Sequence, residues 1–251
     1  MKIITIANRK GGVGKTATAQ AIGAGLTLRG YRVLYIDLDS QTNLTFDLGL
    51  TSAPLSSMEV LTGTATAREA ITNTPGGELI PGSPTLAGAD LVIEGTGKEY
   101  RLKEALEPLQ LDYDYCIIDT PPALGVLTIN ALTASDSVII PVQAEVHSLQ
   151  GIGLLYEAIR AVQKYTNPGL KVEGVLLTRY NGRAILSKDM RENLEKIAQD
   201  LDTKVFQTPI RECISIKEAQ ALQSDIFRYA PRSNASKDYE ALIEEILFNE
   251  E

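Results

Sequence analysis

Seven residues near the start of the chain, "KGGVGKT" (10–16), restrict its fold more than any other part of the sequence. The apolar run "KIITIA" (2–7) precedes them, and the helical pattern "TATAQAIGAGLTLRG" (16–30), ending at Gly30, follows. A buried strand that turns through glycines directly into a helix makes a pocket for an anion. Gly11, Gly12 and Gly14 let backbone N–H groups turn inward around a phosphate, and the helix points its positive end at the same place. Within that loop, Val13 and Ala17 flank the residues that carry charge. Lys15 supplies positive charge to the β- and γ-phosphates of a nucleotide, and the Thr16 hydroxyl is placed for Mg²⁺. The stretch is a variant of G-x-x-x-x-G-K-[ST], because the first glycine of that pattern is replaced. It also carries a second lysine, Lys10, five residues before Lys15. One lysine is enough to neutralise terminal phosphates within one chain, so Lys10 needs its own explanation.

The rest of the chain repeats the strand-then-helix order. Apolar runs at 32–39, 113–122, 137–142 and 170–180 read as strands, with a further candidate at 203–208. Helical patterns fall near 147–165 and 184–201, and the chain closes on a helix at 236–248. Residues 52–110, rich in Thr, Gly, Ser and Pro, predict short helices around "GELIPGS". Strands that are apolar throughout belong to a mostly parallel sheet covered on both faces. The expected fold is therefore α/β: one domain over residues 1–251, with a twisted, mostly parallel sheet and helices on both sides.

Two cysteines in no C-x-x-C pair, Cys116 and Cys213, suggest neither a disulfide framework nor a zinc site. Cys116 lies in an apolar run and is expected in the core. No apolar run approaches the roughly 20 residues of a spanning helix, and "MKIITIA" leads into the glycine loop rather than a cleavage site. The expected compartment is the cytoplasm. Net charge is −8, unevenly spread: residues 151–237 hold 14 basic and 10 acidic side chains, whereas residues 51–150 hold 4 and 13. The C-terminal half could thus carry a local basic patch, or simply solvated helix faces of mixed charge.

The loop "KGGVGKT" resembles the deviant Walker A motif of the ParA/Soj/MinD family of dimerising ATPases. "DLDSQTNLT" (37–45) resembles that family's D-x-D-x-Q segment, and "IIDTPP" (117–122) its Walker B strand. "LLTRYNGR" (176–183) and "KEAQALQSDIFRYAPRSNASKDY" (217–239) are similar to bacterial partition ATPases, so the resemblance covers nearly the whole chain. It implies a P-loop NTPase fold, ATP and Mg²⁺ as cofactors, and a slow ATPase stimulated by a ParB-like centromere-binding partner. It also answers the question of Lys10. In the family the extra lysine reaches across a nucleotide sandwich dimer to the partner's phosphates, a charge supplied in trans as an arginine finger is. Gly11 would lie where the two loops approach.

By the same resemblance Asp39 positions the attacking water, Asp37 lies near Mg²⁺ and its waters, and Asp119 is the Walker B acid. Gln41 and Asn43 are expected to link the hydrolytic loop to the interface. An acid after a buried strand can also be a helix cap, which stays open for Asp37 and Asp119. "TRYN" (178–181) stands where related GTPases carry N-K-x-D. Asn181 cannot accept from both guanine donors, which favours adenine. Asn181 with the backbone around Pro209 and Ile210 is the expected base pocket, an exposed loop asparagine being the alternative.

Three downstream roles share this ATPase. A cluster-bearing reductase lacks its cysteines here. A membrane anchor needs Lys and Arg on its last helix, and "YEALIEEILFNEE" offers acids instead. Nonspecific DNA binding by an ATP-dependent homodimer fits best, through Arg183, Lys188, Arg191, Lys196, Arg211, Lys217, Arg228 and Arg232. Where chromosomal relatives have "NVRLSEA" this chain has "CISIKEA", with Ser215 in place of the arginine. The chain begins at the P-loop strand, so no operator-reading N-terminal extension is expected. Cargo positioning on the nucleoid, or an ATP switch acting as an adaptor, are the alternatives to partition.

Overall fold

Four strands of this chain are short, apolar and buried along their whole length or nearly so, which only an interior position in a sheet satisfies. The computed structural model describes residues 1–143, 148–181, 185–200 and 202–248. β1 (Lys2–Ile6) leads through the glycine loop into α1 (Lys15–Leu28). β2 (Val33–Asp37) is followed by the single-turn α2 (Asn43–Asp47), then by α3 (Ser57–Thr62) and α4 (Ala67–Ala70). The hairpin β3 (Thr72–Thr74) and β4 (Gly77–Ile80) comes next, then α5 (Ala89–Val92), α6 (Arg101–Leu106) and β5 (Tyr115–Asp119). α7 (Val126–Ala134), β6 (Ser137–Gln143), α8 (Ser148–Tyr165), β7 (Lys171–Thr178) and α9 (Ile185–Asp200) continue the alternation. α10 (Ile214–Ala221), α11 (Ile226–Tyr229) and α12 (Asn234–Phe248) close the described chain.

The strands form one sheet in the order β3-β4-β2-β5-β1-β6-β7. Every pairing is parallel except β3 with β4. Alternate residues of each strand serve opposite faces. Ile4, Ile6, Tyr35, Ile117 and Ile139 pack with α1 and α12 on one face. Ile3, Leu34, Ile36, Cys116 and Ile118 pack with residues of α3, α6 and α7 on the other. Cys116 is thus a core residue, as expected.

The irregular region is built from capped single turns. Ser56 and Glu59 form a capping box at α3, and Thr66 and Glu69 form another at α4. The run at 203–208 does not form a named strand: it contributes one isolated bridge, Val205 to Val175, beside β7. Its register with β7 is lost after that bridge, and Phe206 turns into the core instead.

The topology decides where chemistry can occur. β5 lies between β1 and β2, although about 80 residues separate β2 from β5 in sequence. In register, Ile6 faces Asp119 and Asp37 faces Asp119. The glycine loop, Asp37 and Asp119 therefore emerge side by side at the carboxyl edge, where open parallel sheets bind ligands.

Candidate nucleotide-binding site

The loop after β1 wraps the start of α1, and two of its glycines hold conformations that a side chain would strain. Gly12 has φ 73° and Gly14, at the N-terminus of α1, has φ 89°. Two side chains from other elements, and Asn8 of the loop itself, pin the loop by its carbonyls and neighbours. Gln143 at the end of β6 donates to the Gly12 carbonyl at 2.6 Å. Thr178 at the end of β7 donates to the Val13 carbonyl at 2.7 Å. Asn8 donates to the Pro141 carbonyl at 2.6 Å and accepts from the Lys10 N–H at 2.9 Å. With its carbonyls tied back, the loop presents its N–H groups to the cavity beside it.

That cavity, of about 590 Å³, is lined by the loop and α1 start (Gly11 to Ala17, without Val13), by Asp39, Gln41 and Asn43, and by Gln220 of α10. Val13 is buried beneath it. Lys15 is 7% exposed, its ammonium donating to the Lys10 carbonyl at 3.4 Å. Burial lowers its pKa, while Asp119 and Asp39 oppose that shift. A desolvated ammonium of this kind gains from any anion placed against it.

Opposite Lys15 stand the acids. Thr16 donates to Asp119 Oδ2 at 2.7 Å. Asp119 Oδ1 is buried with no hydrogen-bond partner, and burial, with Asp37 nearby, pushes this carboxyl well above its usual range. Asp37 is fully buried and accepts from the Asp39 N–H at 3.0 Å, the Thr45 N–H at 2.9 Å and the Thr45 hydroxyl at 2.7 Å. Burial still raises its pKa to about 6. Asp39 is 8% exposed at the cavity wall, with one oxygen accepting from the Gln41 N–H at 3.0 Å.

Does a divalent cation fit here? Among the described residues no three His, Cys, Asp or Glu side chains converge as a metal cluster. What the site offers is one orphaned, buried carboxylate oxygen beside one hydroxyl. A hard cation held by few protein ligands completes its shell with phosphate oxygens and water, as Mg²⁺ does. Thr16 and Asp119 fit that role. Asp37, with both oxygens already engaged, would act through water.

A family described as an AAA domain matches residues 1–172. The sporulation initiation inhibitor protein Soj of Bacillus subtilis is 43% identical over 99% of this chain and 99% of its own. The chromosome partitioning protein ParA of Myxococcus xanthus is 36% identical over 98% of this chain and 88% of its own. The chain belongs to the ParA/Soj family. Its fold agrees with a Mycobacterium smegmatis structure described as cobyrinic acid a,c-diamide synthase with bound ATP analogue and magnesium. That protein is 38% identical, at TM-score 0.86 over 98% of this chain and 94% of its own.

For a ParA/Soj-type ATPase the remaining expected residues are placed unevenly. Ile210 is buried, and its carbonyl accepts from the Tyr180 N–H at 3.0 Å, which brings Asn181 and Pro209 to the β7 side of the loop. None of these three lines that cavity. Among the basic candidates, Arg183 and the side chains of Lys188 and Arg191 lie outside the described residues. Lys196, Lys217 and Arg232 are exposed. Arg211 is instead committed to Asp238, whose carboxylate takes its Nε at 2.9 Å and its backbone N–H at 3.0 Å. Arg228 pairs with Asp225 at 3.3 Å. Arg211 thereby ties the chain to α12, and Arg228 pairs with the residue that caps α11.

Sequence reasoning missed Gln143, Thr178, Thr45, Asp47 and Gln220. Thr45 lay inside the quoted "DLDSQTNLT" and could have been weighed as a donor to Asp37. The others act across 130 residues or more and left no local signal.

Proposed function

We propose that this ParA/Soj-type chain is a partition ATPase that binds ATP with Mg²⁺, closes a homodimer around it, and in that state holds nonspecific DNA on the nucleoid. Lys15 supplies positive charge to the β- and γ-phosphates, and the loop N–H groups hold the remaining oxygens. Thr16 and Asp119 would hold the Mg²⁺ ion, which when bound would neutralise charge on the phosphate oxygens. Asp39, at the cavity wall, orients the attacking water. Asn181, Pro209 and Ile210 border the base from the β7 side. A ParB-like, centromere-bound partner stimulates slow hydrolysis and so releases the DNA.

One observation carries the dimer. Gly11 does not have a left-handed φ, and a Cβ added to it would meet no atom of the described residues within 4 Å. Among the described residues no side chain fills that space, which leaves room for a second copy to approach the loop. The half-buried Lys10 precedes it, and on this reading it serves the partner's phosphates. A charge supplied this way ties turnover to dimerisation.

DNA contact needs a few phosphates per protomer, doubled by dimerisation, and is therefore salt-sensitive. Lys196, Lys217 and Arg232 are the described candidates that combine exposure with no carboxylate assigned above. The test is DNA affinity with ATP, with ADP and without nucleotide. Tight binding with ATP alone, lost steeply between low and moderate salt, is expected. Equal affinity in all three states refutes the partition reading and favours an adaptor.

A further inference from the structure

The turn that carries Asp39 into α2 is strained, and it is clamped at both ends. Thr42, the residue before α2, sits at φ 55° and ψ 29°. A β-branched residue is a true outlier in that left-handed region. Its hydroxyl does not cap α2, and the turn closes locally only through the backbone, the Thr42 N–H donating to the Asp39 carbonyl at 2.9 Å. Such a conformation persists only where surrounding structure over-determines it. One clamp is visible in the site: Asp37 holds the Asp39 N–H and both donors of Thr45.

The other clamp is Asp47, the last residue of α2. Its backbone carbonyl accepts from Gln20 of α1 at 2.9 Å, and its carboxylate accepts from Gln220 of α10 at 2.6 Å. Asp47 is only 4% exposed. Burial raises its pKa to about 6, against the opposing bond from Gln220, with Asp37 adding a smaller push upward. A carboxylate in so unfavourable a place is expensive to keep, and Gln220 is the side chain that keeps it. Both residues line the nucleotide cavity, and α10 also presents the exposed Lys217 and the 65% exposed Ile214.

We propose that Gln220 is a positioning residue. Through Asp47 it locks α2 against α10, and so holds the strained 39–42 turn in the conformation that presents Asp39. Asp47 is where α1, α2 and α10 meet, so a load on α10 reaches the hydrolytic loop through one hydrogen bond. This rests on the ATPase reading for its kinetic consequence, but not for its structural one.

The experiment compares Gln220→Ala, Thr42→Gly, the double variant and Asp47→Asn in the full chain. Gln220→Ala should lower kcat about tenfold while ATP affinity changes less than twofold. Thr42→Gly removes the strain, so adding Gln220→Ala to it should cost no more than about threefold. Asp47→Asn keeps an oxygen for Gln220, so its amide exchange over residues 42–47 should stay within about twofold of the wild type. Amide exchange over residues 42–47 should speed up in Gln220→Ala and be restored in the double variant. An equal kcat loss with and without Thr42→Gly overturns the proposal, as does a kcat loss matched by lost ATP affinity. If Gln220→Ala fails to fold, Gln220→Asn, one methylene too short to reach Asp47, takes its place. If the wild type turns over no ATP, the ATPase reading fails. The clasp is then judged by exchange alone, and unchanged exchange in Gln220→Ala overturns it.

Discussion

Asp119→Asn separates what this carboxylate does for the fold from what it does for a ligand, because the two effects have opposite signs. The side chain is fully buried, Oδ1 has no partner, and burial pushes the pKa well up. The ligand-free protein therefore keeps a carboxyl group in a place that disfavours its ionised form. The amide has nearly the same shape, keeps an oxygen for the Thr16 hydroxyl and bears no charge. A buried polar group left unsatisfied costs about 1–3 kcal/mol, more when charged. The amide NH₂ also lacks a partner, and Lys15 loses a favourable neighbour, so the net gain lies toward the lower end of that range. At roughly 2–4 °C per kcal/mol for a chain of this size, the ligand-free variant should melt about 2–6 °C above the wild type. With ATP and Mg²⁺ at 100 times Kd the wild type gains about 2.7 kcal/mol. The variant, without the carboxylate that would hold the ion, should gain less than about 1 kcal/mol in the same mixture. Thermal melts with and without ATP, each in Mg²⁺ and in chelator, measure all four quantities. A ligand-free variant that melts below the wild type refutes the burial argument. A Mg²⁺-dependent ATP shift equal to that of the wild type removes Asp119 from the ion.

Three further outcomes are expected. Asp39→Ala should keep ATP binding and accumulate a stable ATP dimer on sizing chromatography; an unchanged hydrolysis rate would take Asp39 out of the mechanism. Lys10→Ala should leave monomer ATP affinity nearly unaltered while the dimer and stimulated turnover collapse. A dimer mixed with Lys15→Ala chains should regain activity at the one occupied site, and a mixed dimer that forms but stays inactive refutes the trans role. The third concerns pH: Asp47, raised from 3.8 to about 6, makes its ionised form a cost in the folded state. That cost is absent below about pH 4, grows as pH rises to about 6 and is constant above, to a limit of about 3 kcal/mol. Ligand-free melts at pH 4 to 7 should therefore fall more steeply for the wild type than for Asp47→Asn, and parallel curves would show that Asp47 does not titrate in this window.

What the sequence determines here is local. Gly12 and Gly14 announce the left-handed turns of the loop, and a strand before and a helix after leave one way to close it. Ser56 with Glu59 and Thr66 with Glu69 spell out their caps within four residues. Asp37 and Asp119 could be picked as acids at strand ends, because an apolar run that stops at an acid is visible on one line of text. Tertiary structure decided everything that depends on which strand lies beside which. Only the insertion of β5 between β1 and β2 puts Asp119 against both Thr16 and Asp37. Arg211 looked like a free cation until α12 brought Asp238 to it. Gln143, Thr178 and Gln220 are ordinary polar residues in sequence. Their roles come from hydrogen bonds across 131, 165 and 173 positions. A hydrogen bond between distant residues has no periodicity and no spacing rule, so only the folded chain reveals it.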